Sequence, residues 1–321
     1  MRIGMCVAFL CLIWPAKLSA QVTVKRVLTL MGSRFEVTVV ERDSMSAAKC
    51  IDTVAAEITR IENLISEWRP HTQVSEVNRQ AGIKPVRVDR ELFSLTQRAL
   101  QFSRLSGGAF DISIAAMDRL WRFDDSMTEL PAAAAIRQSV AKVNYKNIIL
   151  DSVASTIYLA EKGMKIGFGS IGKGYAADCG RTLLKSMGVK GGIVNASGDL
   201  STWGTQIDEQ PWRVGIKNPR KGNKMIAILK MREASVATSG SYEKYVEFNG
   251  KRYAHIINPK TGYPASGFIS VTVYGPSAEF ANGLSTSMMV LGARDGEKLL
   301  RQFPAYKAVW MTDTGRIKHF R

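Results

Sequence analysis

The sequence contains little cysteine and little histidine, with four Cys and three His among its 321 residues. Two of the cysteines lie in the first twenty residues, which leaves Cys50 and Cys179, each on a predicted helix. Their spacing does not decide between one disulfide and two buried thiols. We favour the thiols, because a chain of this size can build a core without covalent cross-links. The histidines form no cluster with the cysteines, which argues against a zinc site.

Long apolar runs are absent except at the N-terminus. Arg2 gives a short basic start, Ile3 to Trp14 is mostly apolar, and Leu18 to Ala20 ends in small residues. This pattern predicts a signal peptide at residues 1–20 and an exported, periplasmic protein, because the run is too short to span a bilayer. Neither cysteine of this segment follows the small residue that a lipoprotein cut requires. The remaining residues, 21–321, are numerous enough for one large domain or two intimate lobes with a common core, and we expect them to form a single domain.

Acidic residues are scarce relative to basic ones. Of the 44 Lys and Arg residues, Arg2 and Lys17 belong to the predicted signal peptide, so 42 remain against 28 Asp and Glu, a net charge of +14. The basic residues are scattered and form no stripe interleaved with aromatics, which argues against nucleic acid as a partner. A solvated surface is the simplest interpretation. An anionic ligand, or at most peripheral association with an anionic membrane surface, is the next.

Internal repeats, low-complexity segments and long linkers are also absent, so the order of helical and strand patterns indicates the fold class. Strands occur in pairs between helices without a regular βαβ alternation, which indicates an α+β fold. The predicted segments are strands at 22–30, 34–40 and 268–274, helices at 46–65, 114–121 and 277–291, loops or turns at 66–78 and 236–245, and a hairpin that turns at Asn249-Gly250.

Glycine is concentrated in GFGSIGKGYAAD, residues 167–178, which places four glycines within eight residues. We predict a strand before this turn and a helix after it, so backbone amides and the helix dipole can face a phosphate, with Gly169 and Lys173 as candidate contacts. The segment is neither a Walker loop nor a clean dinucleotide-binding fingerprint. Close packing of the helix on the sheet would also require glycine, so both interpretations stay open.

Hydroxyl side chains are concentrated in NGLSTSMM, residues 282–289. Asn282 and Thr286 share a helix face because they are four residues apart, and Ser285 lies beside them. Such a set of oxygens can hold Mg²⁺, although small residues of this kind also fill helix contacts, and this segment alone favours the second interpretation. In NASGDL, residues 195–200, Asp199 is interpreted as the cap of a turn.

A single histidine lies in YAHIINPKTGYP, residues 253–264. His255 follows a strand-like run and precedes two turns, marked by Pro259 and Gly262. An isolated histidine is more often structural or exposed than catalytic, so its position alone assigns no role.

Eight motifs occur in an order that resembles the ApbE family, the FAD:protein FMN transferases: MGS, SEWRPHTQVSEVN, GGAFDIS, GFGSIGKGYAAD, NASGDL, VATSGSYEKY, HIINPKTGYP and VTVYGPSAEFANGLSTSMMVLG. The resemblance implies a T-fold-like α+β architecture of two intimate lobes, with FAD in the cleft between them. It implies Mg²⁺-dependent transfer of FMN from FAD to a Thr or Ser hydroxyl of a target protein, which forms a phosphoester and releases AMP. Exported members modify flavoproteins of membrane electron-transport complexes, and some relatives hydrolyse FAD to FMN and AMP.

The resemblance also assigns roles to single positions of this sequence. His255 becomes the candidate base that deprotonates the acceptor hydroxyl, or a residue that orients the phosphates. The backbone carbonyl of Gly172 and the side chain of Thr286 match metal-ligand positions. The positions that match flavin-nucleotide contacts are Met31, Trp68, Ala109, Phe110, Asp111, Tyr175 and Ile256.

One position departs from the family pattern. The family usually has Asp where this chain has Asn282, so ADALST is replaced by ANGLST. An amide offers an oxygen but no charge, which is expected to weaken Mg²⁺ binding unless Asp178, Asp199 or Ser285 compensates. Three functions therefore stay open: an FMN transferase, which we favour, an FAD pyrophosphatase that uses water at the same site, and an FAD-binding protein with a weakened metal site.

Overall fold

The computed structural model describes residues 21–123, 126–222 and 224–320. The predicted signal peptide, residues 1–20, lies outside the described residues, so export stays a prediction, as does the single domain. The strands are β1 Val22–Leu30, β2 Ser33–Glu41, β3 Val86–Arg87, β4 Ile148–Asp151, β5 Thr156–Leu159, β6 Gly191–Ala196, β7 Asp199–Trp203, β8 Trp212–Lys217, β9 Met225–Met231, β10 Ala234–Gly240, β11 Tyr245–Phe248, β12 Lys251–Ala254, β13 Phe268–Gly275, β14 Lys307–Thr312 and β15 Ile317–Phe320. The α-helices are α1 Ser44–Ile65, α2 Gln73–Arg79, α3 Arg90–Leu105, α4 Ala133–Val140, α5 Gly172–Ser186 and α6 Ala278–Leu300, and short 3₁₀ helices cover Ile112–Ala116 and Tyr145–Asn147.

An antiparallel eight-stranded sheet organises the molecule, in the order β1-β2-β6-β7-β10-β13-β14-β15. Helix α1 packs on β1 and β2, α5 on β6 and β7, and α6 on β10 and β13, and α5 contacts both other helices. Smaller sheets are formed by β3-β5-β4, by β8-β9 and by the β11-β12 hairpin. Helices combined with antiparallel sheets confirm the predicted α+β class.

Several local predictions are confirmed because their signals are local. The apolar stripe of α1 is buried at Ile51, Val54, Ile58 and Ile61, so this helix buries the predicted face. The hairpin of β11 and β12 turns at Asn249-Gly250, where both residues have positive φ. The apolar residues of α1 follow the 3.6-residue period of a helix, and Asn-Gly is a common turn sequence of a β-hairpin, so both signals are visible in the sequence.

Three predictions were wrong at the level of single segments. The loop predicted for residues 66–78 contains all of α2 except its last residue, and Thr72 caps this helix through a hydrogen bond from the Ser75 amide. The strand predicted before the glycine turn is not part of a sheet, because the Ile166 amide and carbonyl bond the side chain of Asn78 at 2.7 and 3.0 Å. The short helix predicted at 114–121 is a 3₁₀ helix that begins and ends earlier.

The hydroxyl-rich turn predicted at residues 236–245 begins as the central strand β10. Its hydroxyls are satisfied inside the protein: Thr238 bonds Thr272 on β13 at 2.9 Å, and Ser239 bonds Ser285 on α6 at 2.8 Å. Buried polar groups are tolerated where they find such partners, which composition alone does not reveal. His255 lies one residue beyond the end of β12, and not within a strand.

Asp178 on α5 fixes the start of α6. Its carboxylate accepts hydrogen bonds from the Ser277 hydroxyl at 2.7 Å and from the Ala278 and Glu279 amides at 3.0 Å each. It also accepts one from Ser201 on β7 at 2.6 Å. The first amides of a helix have no partner inside the helix, so this carboxylate satisfies them and couples α6 to α5 and to the sheet.

Both cysteines of the described residues are free thiols, Cys50 buried and Cys179 partly buried. Among the described residues, no helix has the length and apolar character needed to cross a membrane.

Candidate active site

A cavity of about 530 Å³ opens where the start of α5, the first half of α6 and the ends of β10 and β12 meet. An adjoining cavity of about 380 Å³ shares Trp68, Gly169 and Lys173 with it and extends to Met31. Each volume lies in the usual range for small-molecule sites. The predicted site residues that line the larger cavity are Trp68, Ala109, Phe110, Asp111, Gly169, Lys173, His255, Ile256, Asn282 and Thr286.

The glycine turn uses its glycines in two ways. A Cβ on Gly167 would lie 2.7 Å from Glu67 Oε1, one on Gly172 2.6 Å from Ile65 Cδ1, and one on Gly174 2.6 Å from the Ala278 carbonyl oxygen. These three glycines therefore permit close packing. A Cβ on Gly169 would meet nothing within 4 Å, so this residue borders open space instead.

The first turn of α5 faces the cavity without a side-chain cap. Its N-cap residue, Ile171, is apolar and accepts no hydrogen bond through its side chain. Lys173, in the first turn, lines both cavities. Helix N-termini attract anions through free amides and the helix dipole, and the ammonium group adds a full positive charge. This end of the cavity is suited to phosphate groups.

Trp68 forms an aromatic wall between the two cavities. Its side chain is 70% exposed, and the guanidinium of Arg119 lies 4.6 Å from the centroid of its ring. A broad exposed ring offers stacking area for a planar ligand. Arg119 was not predicted as a site residue, and no sequence pattern links it to Trp68, because only the fold brings the two together.

Asp111 lines the cavity, and its carboxylate holds neighbouring backbone segments in place. Its carboxylate accepts hydrogen bonds from the Ser113 amide and hydroxyl at 2.8 and 2.6 Å and from the Tyr145 amide at 2.9 Å. Burial raises the pKa of Asp111, and these donors oppose the rise. The carboxylate thus holds the segment that carries Ala109 and Phe110 against the cavity.

His255 is a half-buried imidazole on the cavity wall. Its Nδ1 lies 3.3 Å from the Lys244 carbonyl oxygen, which can only accept, so the bond requires a proton on Nδ1 and leaves Nε2 as the basic nitrogen. Burial lowers the pKa of His255 below its ordinary value, which favours the neutral ring. A neutral imidazole with a basic Nε2 has the chemistry that a general base requires.

The chain after His255 is held by a network of turns. The Ala265 amide donates to the Ile256 carbonyl at 2.8 Å, and the Gly262 amide to the Asn258 carbonyl at 2.9 Å. The buried indole of Trp121 donates to the Gly262 carbonyl at 2.9 Å. Gly262 has φ +72, which a residue with a side chain rarely adopts. These bonds fix the position of the imidazole relative to the cavity.

Oxygen atoms from three elements meet at the α6 side of the cavity. Asn282 Nδ2 donates to Asp199 Oδ2 at 2.5 Å, and Thr286 Oγ1 lies 3.4 Å from Asn282 Oδ1. Ser239 Oγ lies 3.2 Å from Thr286 Oγ1 and 2.8 Å from Ser285 Oγ. Burial raises the pKa of Asp199 to about 7. Amide, hydroxyl and carboxylate oxygens are the ligands of hard cations, so this set fits Mg²⁺.

Three predicted residues line neither cavity. The Tyr175 hydroxyl donates to Glu91 on α3 at 2.5 Å, and the Arg98 guanidinium lies 5.4 Å from its ring centroid, so the side chain faces α3. Gly172 is buried at the start of α5, and Ser285 is fully buried behind Ser239. In the described part of the chain, no three His, Cys, Asp or Glu residues form a metal cluster.

The fold and the cavity define an α+β protein whose site combines an uncapped helix start, an imidazole and a set of oxygen-bearing side chains. A sequence model of the ApbE family matches residues 31–310, and the chain belongs to this family. A relative from Treponema pallidum (strain Nichols), an FAD:protein FMN transferase, is 31% identical over 99% of this chain and 92% of its own. A Klebsiella pneumoniae (strain 342) protein of the same name is 33% identical over 88% and 87%. The crystal structure of the ApbE protein from Thermotoga maritima superimposes with a TM-score of 0.85, at 29% identity over 93% of this chain and 97% of that one.

Proposed function

We propose that this protein transfers FMN from FAD to a Thr or Ser hydroxyl of a target flavoprotein, with Mg²⁺ as cofactor, and releases AMP. The observation that carries the proposal is that one cavity is lined by the uncapped start of α5, by His255 and by the side-chain oxygens of Asn282 and Thr286 on α6. The names of the relatives support flavin transfer as the reaction class.

The cavity offers a separate contact for each part of FAD. The pyrophosphate carries two negative charges and suits the start of α5 with Lys173. The isoalloxazine ring suits the exposed face of Trp68. The side-chain oxygens of Asn282 and Thr286 would hold Mg²⁺, which when bound withdraws charge from phosphoryl oxygens.

His255 performs the proton transfer of the proposed reaction. Nε2 takes the proton of the acceptor hydroxyl as the hydroxyl oxygen forms a bond to the phosphorus of the FMN half. The bond from that phosphorus to the bridging oxygen breaks, and the bridging oxygen leaves with its electron pair on AMP. The target then carries FMN through a phosphoester, and the proton on the imidazole passes to solvent.

An assay with the full chain, FAD, Mg²⁺ and a purified acceptor flavoprotein tests this function. We expect AMP release together with a fluorescent acceptor band on a denaturing gel. AMP with free FMN and no labelled acceptor would instead assign the FAD pyrophosphatase. Bound FAD without AMP at high Mg²⁺ would assign a flavin-binding protein.

We propose subunits of membrane electron-transport complexes as the acceptors and the periplasm as the location. The apolar N-terminal run and the excess of basic residues support this placement. N-terminal sequencing of protein isolated from the periplasmic fraction checks it, and a chain that retains Met1 in the cytoplasm would contradict it.

Trp68 provides a test of the flavin position. We expect Trp68→Ala to weaken FAD binding about tenfold, or roughly 1.4 kcal/mol, because the stacking surface is lost. Trp68→Phe serves as the matched control and should retain most of the affinity. Flavin fluorescence titrations measure the FAD affinity of both variants, and EDTA in the buffer prevents turnover. Equal affinities of the alanine variant and the unmodified protein would place the ring elsewhere.

A further inference from the structure

Asp199 is the buried carboxylate among the oxygen-bearing side chains that meet at the α6 side of the cavity. It is 6% exposed, lies at the first position of β7 and borders the cavity. The cavity has two other acidic lining residues. Asp111 already accepts three hydrogen bonds from Ser113 and Tyr145, and Glu243 is exposed.

The surroundings of Asp199 leave its charge only partly compensated. Its partners are the Asn282 amide at 2.5 Å and the Thr238 backbone amide. Lys173 acts on it as a positive charge at longer range, and within the described ranges no Lys, Arg or His nitrogen lies within 4.0 Å of it. A buried carboxylate without a cation is unfavourable, and a bound divalent cation would remove that penalty.

The turn before β7 does not need Asp199 as a cap. The Gly198 amide donates to the Asn195 side chain at 2.9 Å, so Asn195 performs the capping that the sequence pattern suggested for Asp199. The carboxylate is therefore kept in the cavity wall without a local structural task.

The orientation of Asn282 is fixed by Asp199. A carboxylate oxygen can only accept, so the amide nitrogen of Asn282 faces Asp199 and its oxygen faces Thr286, 3.4 Å from the hydroxyl. The side-chain oxygens of Asn282 and Thr286 thus lie together, and Asp199 supplies the negative charge beside them.

The two other candidates for compensation are occupied elsewhere. Asp178 accepts hydrogen bonds from the start of α6 and from Ser201, and it does not line the cavity. Ser285 is fully buried, donates to the Asn282 carbonyl at 3.1 Å and bonds Ser239. Neither side chain is available to a ligand in the cavity.

We infer that Asp199 is the charged ligand of the divalent cation in this protein, in place of the carboxylate that the family usually has at position 282. The inference rests on the proposed function for the choice of Mg²⁺ as the natural ion. The pair at 199 and 282 keeps one carboxylate and one amide, so the site retains a negative ligand although position 282 has lost it.

The test is a direct titration of the full chain with Mn²⁺ alone. Electron paramagnetic resonance measures the concentration of free Mn²⁺, and the midpoint of thermal unfolding measures the stabilisation by bound Mn²⁺. We expect Asp199→Asn to weaken Mn²⁺ binding about tenfold or more and to remove the stabilisation by Mn²⁺. In EDTA the same variant should unfold at an equal or higher temperature, because a buried charge is gone. Asp208→Asn, at an exposed loop position, is the matched control and should bind Mn²⁺ like the unmodified protein.

The charge exchange Asp199→Asn with Asn282→Asp distinguishes a ligand from a residue that only shapes the site. We expect the double variant to recover Mn²⁺ binding, and Asn282→Asp alone to bind more tightly than the unmodified protein. Unchanged Mn²⁺ affinity in Asp199→Asn, or a folded double variant that stays as weak as Asp199→Asn, overturns the assignment.

Failure of the inference and failure of the proposed function give different results. Mn²⁺ binding that depends on Asp199, without AMP release from FAD, keeps the cation site and removes the transferase. AMP release and acceptor labelling, combined with Mn²⁺ binding that does not depend on Asp199, would keep the transferase and remove the assignment of Asp199 as a cation ligand.

Discussion

Replacing His255 by alanine is expected to reduce FMN transfer about 10²- to 10⁴-fold, the usual contribution of a positioned general base. FAD affinity in EDTA should change little, because the start of α5 and Trp68 remain. AMP release and acceptor labelling should fall together, since both follow the same proton transfer. His71→Ala is the matched control, because His71 is exposed and lies outside the cavity lining.

The pH dependence gives a second measurement of the same role. Burial lowers the pKa of His255 from its ordinary value of 6.5, so the neutral, basic form persists to lower pH. With Mg²⁺ at saturation, so that protonation of Asp199 does not limit cation binding, the transfer rate should therefore stay level above pH 6.5 and fall as the pH drops through the lowered pKa of His255. A variant at His255 with full activity, or a rate that rises in acid, would remove the imidazole as the base.

Replacing Asp178 by alanine is expected to destabilise the protein by about 3 kcal/mol or more, because buried donors at the start of α6 lose their acceptor. The Ala278 and Glu279 amides are both buried and both donate to this carboxylate. The Ser277 hydroxyl would still cap the Phe280 amide, so α6 should persist while its attachment to α5 weakens. Urea unfolding followed by circular dichroism measures the loss.

Two controls separate capping from a general effect of mutation. Asp178→Asn retains an acceptor oxygen and should be less damaging than alanine. Asp208→Ala removes an exposed carboxylate and should change stability by less than about 0.5 kcal/mol. A loss below about 1 kcal/mol in Asp178→Ala would show that solvent satisfies these amides, and that the helix does not depend on α5 for its start. Because α6 carries Asn282 and Thr286, a large loss should also weaken Mn²⁺ binding.

Local patterns in the sequence were sufficient for the elements whose signals are local. The apolar stripe of α1 and the Asn249-Gly250 turn each depend on neighbouring residues. The ordered motifs indicated the family, and the resemblance to that family pointed to most of the residues that line the cavity. The central strand β10 was missed because its Ser and Thr residues resemble a turn until their partners on β13 and α6 are seen.

The amino-acid sequence alone determined the α+β class, the family and the presence of Asn where a metal-binding Asp is usual. Tertiary structure decided what that substitution means, because Asn282 and Asp199 are 83 residues apart and meet only when α6 packs beside the start of β7. It also directed Tyr175 to Glu91 on α3 and Asp178 to the start of α6. The physical reason is that side-chain partners within a core are chosen by the packing of distant elements, and short-range patterns contain no record of that choice.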